Sequence, residues 1–144
     1  MTPDINILLA ASRADHPHHQ VAYSWLDREL DACATGGGLE ILPMVAAGFL
    51  RMSTNARIFP LLMPTNDALD FLRATLETSG VSMPDLGREW PILESLCATH
   101  QLAANAIPDA CSAAAVMVNG LQLATFDQDF LSLLPRTQIE LLRP

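Results

Sequence analysis

Between residues 18 and 32 apolar side chains return with a helical rhythm. Val21, Ala22, Trp25, Leu26 and Leu30 share one stripe, and charged residues occupy the opposite face. The pattern predicts an amphipathic helix over His18–Ala32, after a break at Asp15-His16-Pro17. Gly36-Gly37-Gly38 is a flexible connection and not a phosphate loop, because no Lys-Ser/Thr follows it. Leu39–Leu42 is a short apolar strand, and Pro43 opens a helix running to about Thr54. A further helix covers Thr65–Ser79, with Thr65 as cap, Asp67 at its positive end and Gly80 as its stop. Val81–Met83 is a short strand, Gly87–Thr99 a helix with Trp90, Leu93 and Leu96-Cys97 inward, and Gln138–Leu142 a final strand. The run Ile7–Ala11 is apolar throughout, so its period does not separate strand from buried helix.

The stretch with most information is Asn105–Phe130. It reads as a helix opened through Pro108, a stop at Asn119-Gly120, an apolar strand Leu121–Thr125 and a second helix start at Asp127. Strands alternating with helices predict an α/β fold with a mainly parallel sheet and right-handed crossovers, in one domain over residues 1–144. Asp109 and Asp127 then stand where the chain passes into a helix, and Asp4 stands close to the N-terminal strand or helix. Such junctions line up outside the carboxyl ends of parallel strands, where ligands bind.

Composition narrows the setting. Half of the 144 residues are apolar and 17% are charged, which is a globular and not a disordered balance. Positive mean hydropathy suggests that some apolar surface is covered by a partner. No run approaches the roughly 18 apolar residues of a membrane helix. Asp4 stands where a signal peptide is basic, so no export is expected. Cys33, Cys97 and Cys111 lack pair spacing and read as small buried hydrophobes of a reducing cytoplasm. Net charge is −8 and all eight cations are arginines. Such a chain is a poor candidate for wrapping nucleic acid by bulk attraction; local arginines and a bound cation would have to supply it. The acidic surplus also suits a basic partner protein.

Each acid has an ordinary explanation. Asp109 complements a helix dipole, worth about 0.3–1 kcal/mol; Asp127 caps a helix; Asp4 suits a turn. Their joint placement at such junctions favours a metal site instead. Carboxylates gathered within about 4–6 Å repel one another unless a cation lies between them. Mg2+ or Mn2+ is a hard ion that prefers oxygen ligands, which aspartates supply. Asn6 and Thr125 are uncharged groups placed to orient the acids. Arg51 and Arg57 flank Met52-Ser53-Thr54-Asn55 and offer contacts to a phosphate backbone, with a solvated helix end as the alternative. His16, His18 and His19 have no second histidine or cysteine pair to complete a zinc site and read as a solvated helix start. No Gly-x-Ser-x-Gly elbow supports a serine hydrolase triad.

Asp4-x-Asn6-x-Leu8-Leu9, HPHHQVAYSWL, GFLRMSTNARIF, NAIPDACSAA and LATFDQDF, in that order, resemble the PIN-domain toxins of the VapC type. The likeness runs from residue 4 to Phe130, and the C-terminal strand fits it. It implies a Rossmann-like α/β/α PIN fold in which the first strand ends at Asp4 and a helix begins at Ile5. It implies a Mg2+- or Mn2+-dependent ribonuclease, the toxin of a toxin–antitoxin pair, dimeric and silenced by a VapB-like antitoxin. By the same likeness Asp4, Asp109 and Asp127 are metal ligands, with Asp129 available to complete the set and Arg51 to touch RNA. One departure stands out: many such nucleases carry a glutamate early in the helix that here reads PMVAAGFLR, and none of Met44–Leu50 is acidic. The corresponding position falls at or near Gly48. Two other readings remain: a PIN-fold protein that binds RNA or antitoxin without cutting, and an aspartate-nucleophile phosphatase suggested by Asp4-x-Asn6. The second lacks the expected late lysine, since the chain has none.

Overall fold

In a computed structural model, which describes residues 1–143, short parallel strands form the centre of the molecule. Strand β1 (Thr2–Pro3) pairs with β4 (Leu123–Thr125), and β4 with β5 (Ile139–Leu141). Strand β2 (Leu39–Glu40) pairs with β3 (Val81–Ser82). Two bonds join the two ladders: the N–H of Glu40 donates to the C=O of Met1 at 2.8 Å, and the N-terminal ammonium of Met1 donates to the C=O of Gly38 at 3.1 Å. The order is therefore β3-β2-β1-β4-β5, all parallel as the alternating pattern predicts. Chain order reverses at β1, which makes the carboxyl ends of β1 and β4 the natural crevice for a ligand.

Helix α1 (Ile5–Ser12) starts directly after β1, because Asp4 caps it: Oδ1 accepts the N–H of Ile5 at 2.7 Å. Ile7, Leu8, Leu9, Ala10 and Ala11 are all buried, so α1 is a helix enclosed on nearly every side. That enclosure explains why periodicity could not identify it. It packs between α2 (His19–Cys33) and α3 (Pro43–Ser53), and α4 (Thr65–Leu76) packs on α3. Helix α5 (Trp90–His100) lies mainly on α6 (Ala106–Asn119). Trp25, Phe49 and Phe130 are the largest side chains fully inside the core, each contributing about 1.5–3 kcal/mol by burial.

Several expected boundaries move for local reasons. Thr65 is the first helical residue of α4, not its cap; Pro64 holds the cap position and no side chain bonds there. Helix α4 ends at Leu76, and Gly80 turns the chain into β3 with φ of 84°. A Cβ there would come within 2.9 Å of the Cβ of Cys33, so glycine is required on two counts. Trp90 is 62% exposed rather than inward, since α5 rests mainly on one helix and has no fully buried residue. Helix α6 begins at Ala106, with Pro108 inside its first turn. At its far end the N–H of Leu121 bonds to the C=O of Val116, a left-handed exit through Gly120 that delays β4 to Leu123. After Asp127 the chain makes a 3-10 turn (Gln128–Ser132), not an α-helix, and Phe130, Leu133 and Leu134 drop into the core.

Candidate active site

The reversal point of the sheet brings two distant segments together. Asp4 leaves β1, Asn6 lies in the first turn of α1, Thr125 ends β4, and Asp127 follows two residues later. They are tied by hydrogen bonds. Oδ2 of Asp4 accepts from Nδ2 of Asn6 at 2.6 Å and from the hydroxyl of Thr125 at 2.7 Å. That hydroxyl oxygen in turn accepts from Asn6 Nδ2 at 3.0 Å and from the N–H of Asp127 at 2.9 Å. Oδ1 of Asn6 accepts the N–H of Phe126 at 3.3 Å. Thr125 is completely buried and Asp4 nearly so, which gives the knot a low-dielectric setting where satisfied bonds are strong. Asn6 and Thr125 thus hold Asp4 in one orientation, and Thr125 also fixes the backbone that presents Asp127.

The electrostatics are those of crowded acids. Burial pushes the Asp4 carboxyl from 3.8 up to about 6, against the pull of the Thr125 hydroxyl and the Ile5 N–H, and the charges of Asp109 and Asp127 push the same way. Asp109, in the first turn of α6 and half-buried, is also raised, first by burial and then by Asp127 and Asp129. Asp127 caps the 3-10 turn, its Oδ1 accepting the N–H of Asp129 at 2.8 Å. Asp129 is exposed beside it. Asp109 and Asp127 thus act on Asp4, and Asp127 and Asp129 on Asp109, yet among the described residues no three acidic, histidine or cysteine side chains are gathered closely enough to hold a metal ion as they stand.

Helix α3 sends no acid to this place. A Cβ on Gly48 would collide with Cδ1 of Ile5, the residue next to Asp4, so that side is closed by hydrocarbon. Arg51, exposed in the last turn of α3, and Arg57, exposed in the following loop, make no ion pair among the described residues. Arg13, Arg28 and Arg73 are all paired.

Two features went unread in the sequence. Arg13 is buried, donates to Asp15 and to the C=O of Leu61, each at 2.8 Å, and lies 4.1 Å over the ring of Phe59. It fixes the loop after α3, and nothing in its neighbourhood in the chain announces a contact 48 residues away. The histidines are the second. His16, His18 and His19 are half-buried rather than solvated, and the His18 ring lies 5.0 Å from that of Phe126, between Thr125 and Asp127.

Comparison with known proteins follows the same lines. No family model matches the chain. Ribonuclease VapC25 of Mycobacterium tuberculosis (strain ATCC 25618 / H37Rv) is 34% identical over 128 residues, which cover 88% of each chain. Ribonuclease VapC31 of the CDC 1551 / Oshkosh strain is equally similar, and Ribonuclease VapC37 is 30% identical over 131 residues, covering 88% of this chain and 87% of its own. Among solved structures, VapBC2 from Rickettsia felis, bound to a DNA fragment from their promoter, superposes with a TM-score of 0.64 at 17% identity, covering 96% of both chains. M. tuberculosis VapC20, a Sarcin-Ricin loop cleaving toxin, gives 0.61 at 16% identity over 99% of this chain and 98% of that one. Those two share the fold, a Rossmann-like α/β PIN domain. With the expected segments in order, a sheet reversing at Asp4, and one-third identity over most of its length, this chain belongs to the VapC ribonucleases.

Proposed function

We propose that the chain is a Mg2+- or Mn2+-dependent endoribonuclease, the toxin of a toxin–antitoxin pair, with Asp4, Asp109 and Asp127 as metal ligands and Asp129 as a further carboxylate. The observation that carries this is the fixed Asp4 carboxylate at the reversal point of the sheet, bonded to Asn6 and Thr125, with Asp109 and Asp127 near enough for their charges to act on it. Uncompensated, such a cluster repels a phosphodiester. An all-oxygen donor set suits a hard divalent cation. When bound, such an ion supplies charge neutralisation, an acidified water and stabilisation of the leaving oxygen.

The protein's own part is positioning. Asn6 and Thr125 fix the Asp4 carboxylate, so only Asp109, Asp127 and Asp129 need to adjust. Thr125 holds Asp127 through its backbone. The unpaired guanidinium groups of Arg51 and Arg57 would take the RNA backbone at flanking phosphates, which places the strand without reading its bases.

By analogy with the VapBC2 assembly of R. felis, a VapB-like antitoxin is the silencing partner, and a basic side chain over the acidic cluster is the simplest means. Exposed Trp90, Leu61 and Tyr23 add apolar surface that favours a homodimer, which light scattering would register. Among the described residues no helix is long and apolar enough to cross a membrane. A cytoplasmic place of action accords with an RNA substrate.

The open ligand set and the hydrocarbon contact at Gly48 favour one rival, a protein that binds RNA or antitoxin without cutting. Asp4→Asn separates them. For a nuclease the variant loses both RNA cleavage and growth arrest on expression. Unchanged activity and toxicity would remove the aspartate site from consideration, and absence of cleavage by the folded wild type would favour binding alone.

A further inference from the structure

His18 stands at the start of α2, far in sequence from the acids, yet its ring rests on Phe126 at 5.0 Å with a 41° tilt. Phe126 is the link between Thr125 and Asp127. Its N–H is held by Asn6, and the N–H that follows it by Thr125. The only other ring set against it among the described residues is that of His18. The histidine is itself secured: its N–H donates to Nδ1 of His16 at 3.1 Å, and the two rings meet edge-on at 5.5 Å. His19 anchors the next residue by a 2.9 Å bond between its Nδ1 and the C=O of Ala10.

One atom of this arrangement is unexplained by stability. Nδ1 of His18 is buried with no hydrogen-bond partner. Buried polar atoms are nearly always satisfied, and an orphan asks for a reason. The ring sits where it meets Phe126, not where its own nitrogen finds a donor or acceptor. Helix capping does not account for it either, since His18 makes no side-chain bond to α2.

We infer that His18 is a positioning residue for Asp127: its ring buttresses Phe126 and so fixes the carboxylate that the Thr125–Asp127 segment presents to the acidic cluster. The inference rests on the nuclease reading. The ring acts as a surface, so an aromatic replacement serves and a small one does not. Neighbours of ligands that set ligand orientation cost roughly 10- to 100-fold in metal affinity or activity when removed.

The test compares wild type, His18→Ala, His18→Phe and Asp127→Asn, reading Mn2+ affinity by calorimetry and kcat and KM on RNA. His18→Ala is expected to lose roughly 10-fold or more in Mn2+ affinity and kcat with KM little changed, and His18→Phe to recover most of that loss. Phe126→Leu should reproduce the alanine defect, and His18→Ala with Phe126→Leu should be no worse than either alone. This pair keeps the idea testable should His18→Ala fold poorly. Equal damage in the alanine and phenylalanine variants would assign the effect to the ring nitrogen and overturn the inference. A normal His18→Ala beside a dead Asp127→Asn would also overturn it, leaving the nuclease intact. A fully active Asp127→Asn would instead refute the nuclease site itself.

Discussion

Asp4→Asn should stabilise the metal-free protein at neutral pH while abolishing its activity. Folding lifts the carboxyl from 3.8 to about 6, so the folded chain holds that proton more tightly than the unfolded one. Stability is then greatest below the unfolded value and declines as pH rises through about 6. The ionised group costs about 3 kcal/mol above that range, from 1.36 kcal/mol per pH unit over the interval 3.8 to about 6. Asparagine removes that cost, and its oxygen keeps the bonds from Asn6 and Thr125, but its NH2 then meets the N–H of Ile5 where Oδ1 now accepts. One donor is left without its acceptor, at about 1 kcal/mol. The net gain is about 2 kcal/mol, which for a chain of this size raises Tm by about 6 °C. Urea unfolding of both proteins in chelator, at about pH 7.5 and about pH 4, measures it, and the gain should vanish in acid. A variant less stable than wild type at neutral pH, or a gain independent of pH, would refute the burial argument.

Other expectations follow from single contacts. Thr125→Val removes the hydroxyl that serves Asp4, Asn6 and the Asp127 N–H, and should cost about 1–3 kcal/mol in denaturant unfolding. Gly48→Ala should lower stability because its Cβ meets Ile5, whereas in an Ile5→Ala background it should raise stability by about 1 kcal/mol, the helix propensity of alanine over glycine; a double-mutant cycle reads the coupling. Phe49→Ala empties a fully buried ring position and should cost about 3–5 kcal/mol. Arg51→Ala should raise KM for RNA and flatten its salt dependence with little change in kcat, since a phosphate contact aids binding more than chemistry.

The sequence made the junction acids legible because their signals are local. Pro108 and Asp109 open a helix, and Asp127 precedes a capped turn. The parallel α/β class was readable from alternation alone. Helix α1 was not, since burial on nearly every side erases the period that identifies a helix, and only the family likeness located its start at Ile5. The inward face expected for Trp90 failed for a tertiary reason: α5 leans chiefly on α6 and leaves its first turn in solvent. Left-handed Gln101 and Ala104 in the α5–α6 connection carried no glycine to announce them. The Asn6–Thr125 bond spans 119 residues and the His18–Phe126 contact crosses the chain likewise, so no spacing rule could reach them. What α3 lacks was visible as a missing acid, but that Ile5 fills the place needed coordinates.

Cleavage of RNA decides whether the aspartates at the reversal of the sheet form a metal-dependent ribonuclease site. Purified protein freed of antitoxin would be given a mixed pool of structured RNA with Mg2+, with Mn2+ and with chelator, beside Asp109→Asn. Cutting is expected in one or both metals, with none in chelator and none in the variant. A folded wild type that cuts in neither metal, or an Asp109→Asn that cuts as well as wild type, would contradict it.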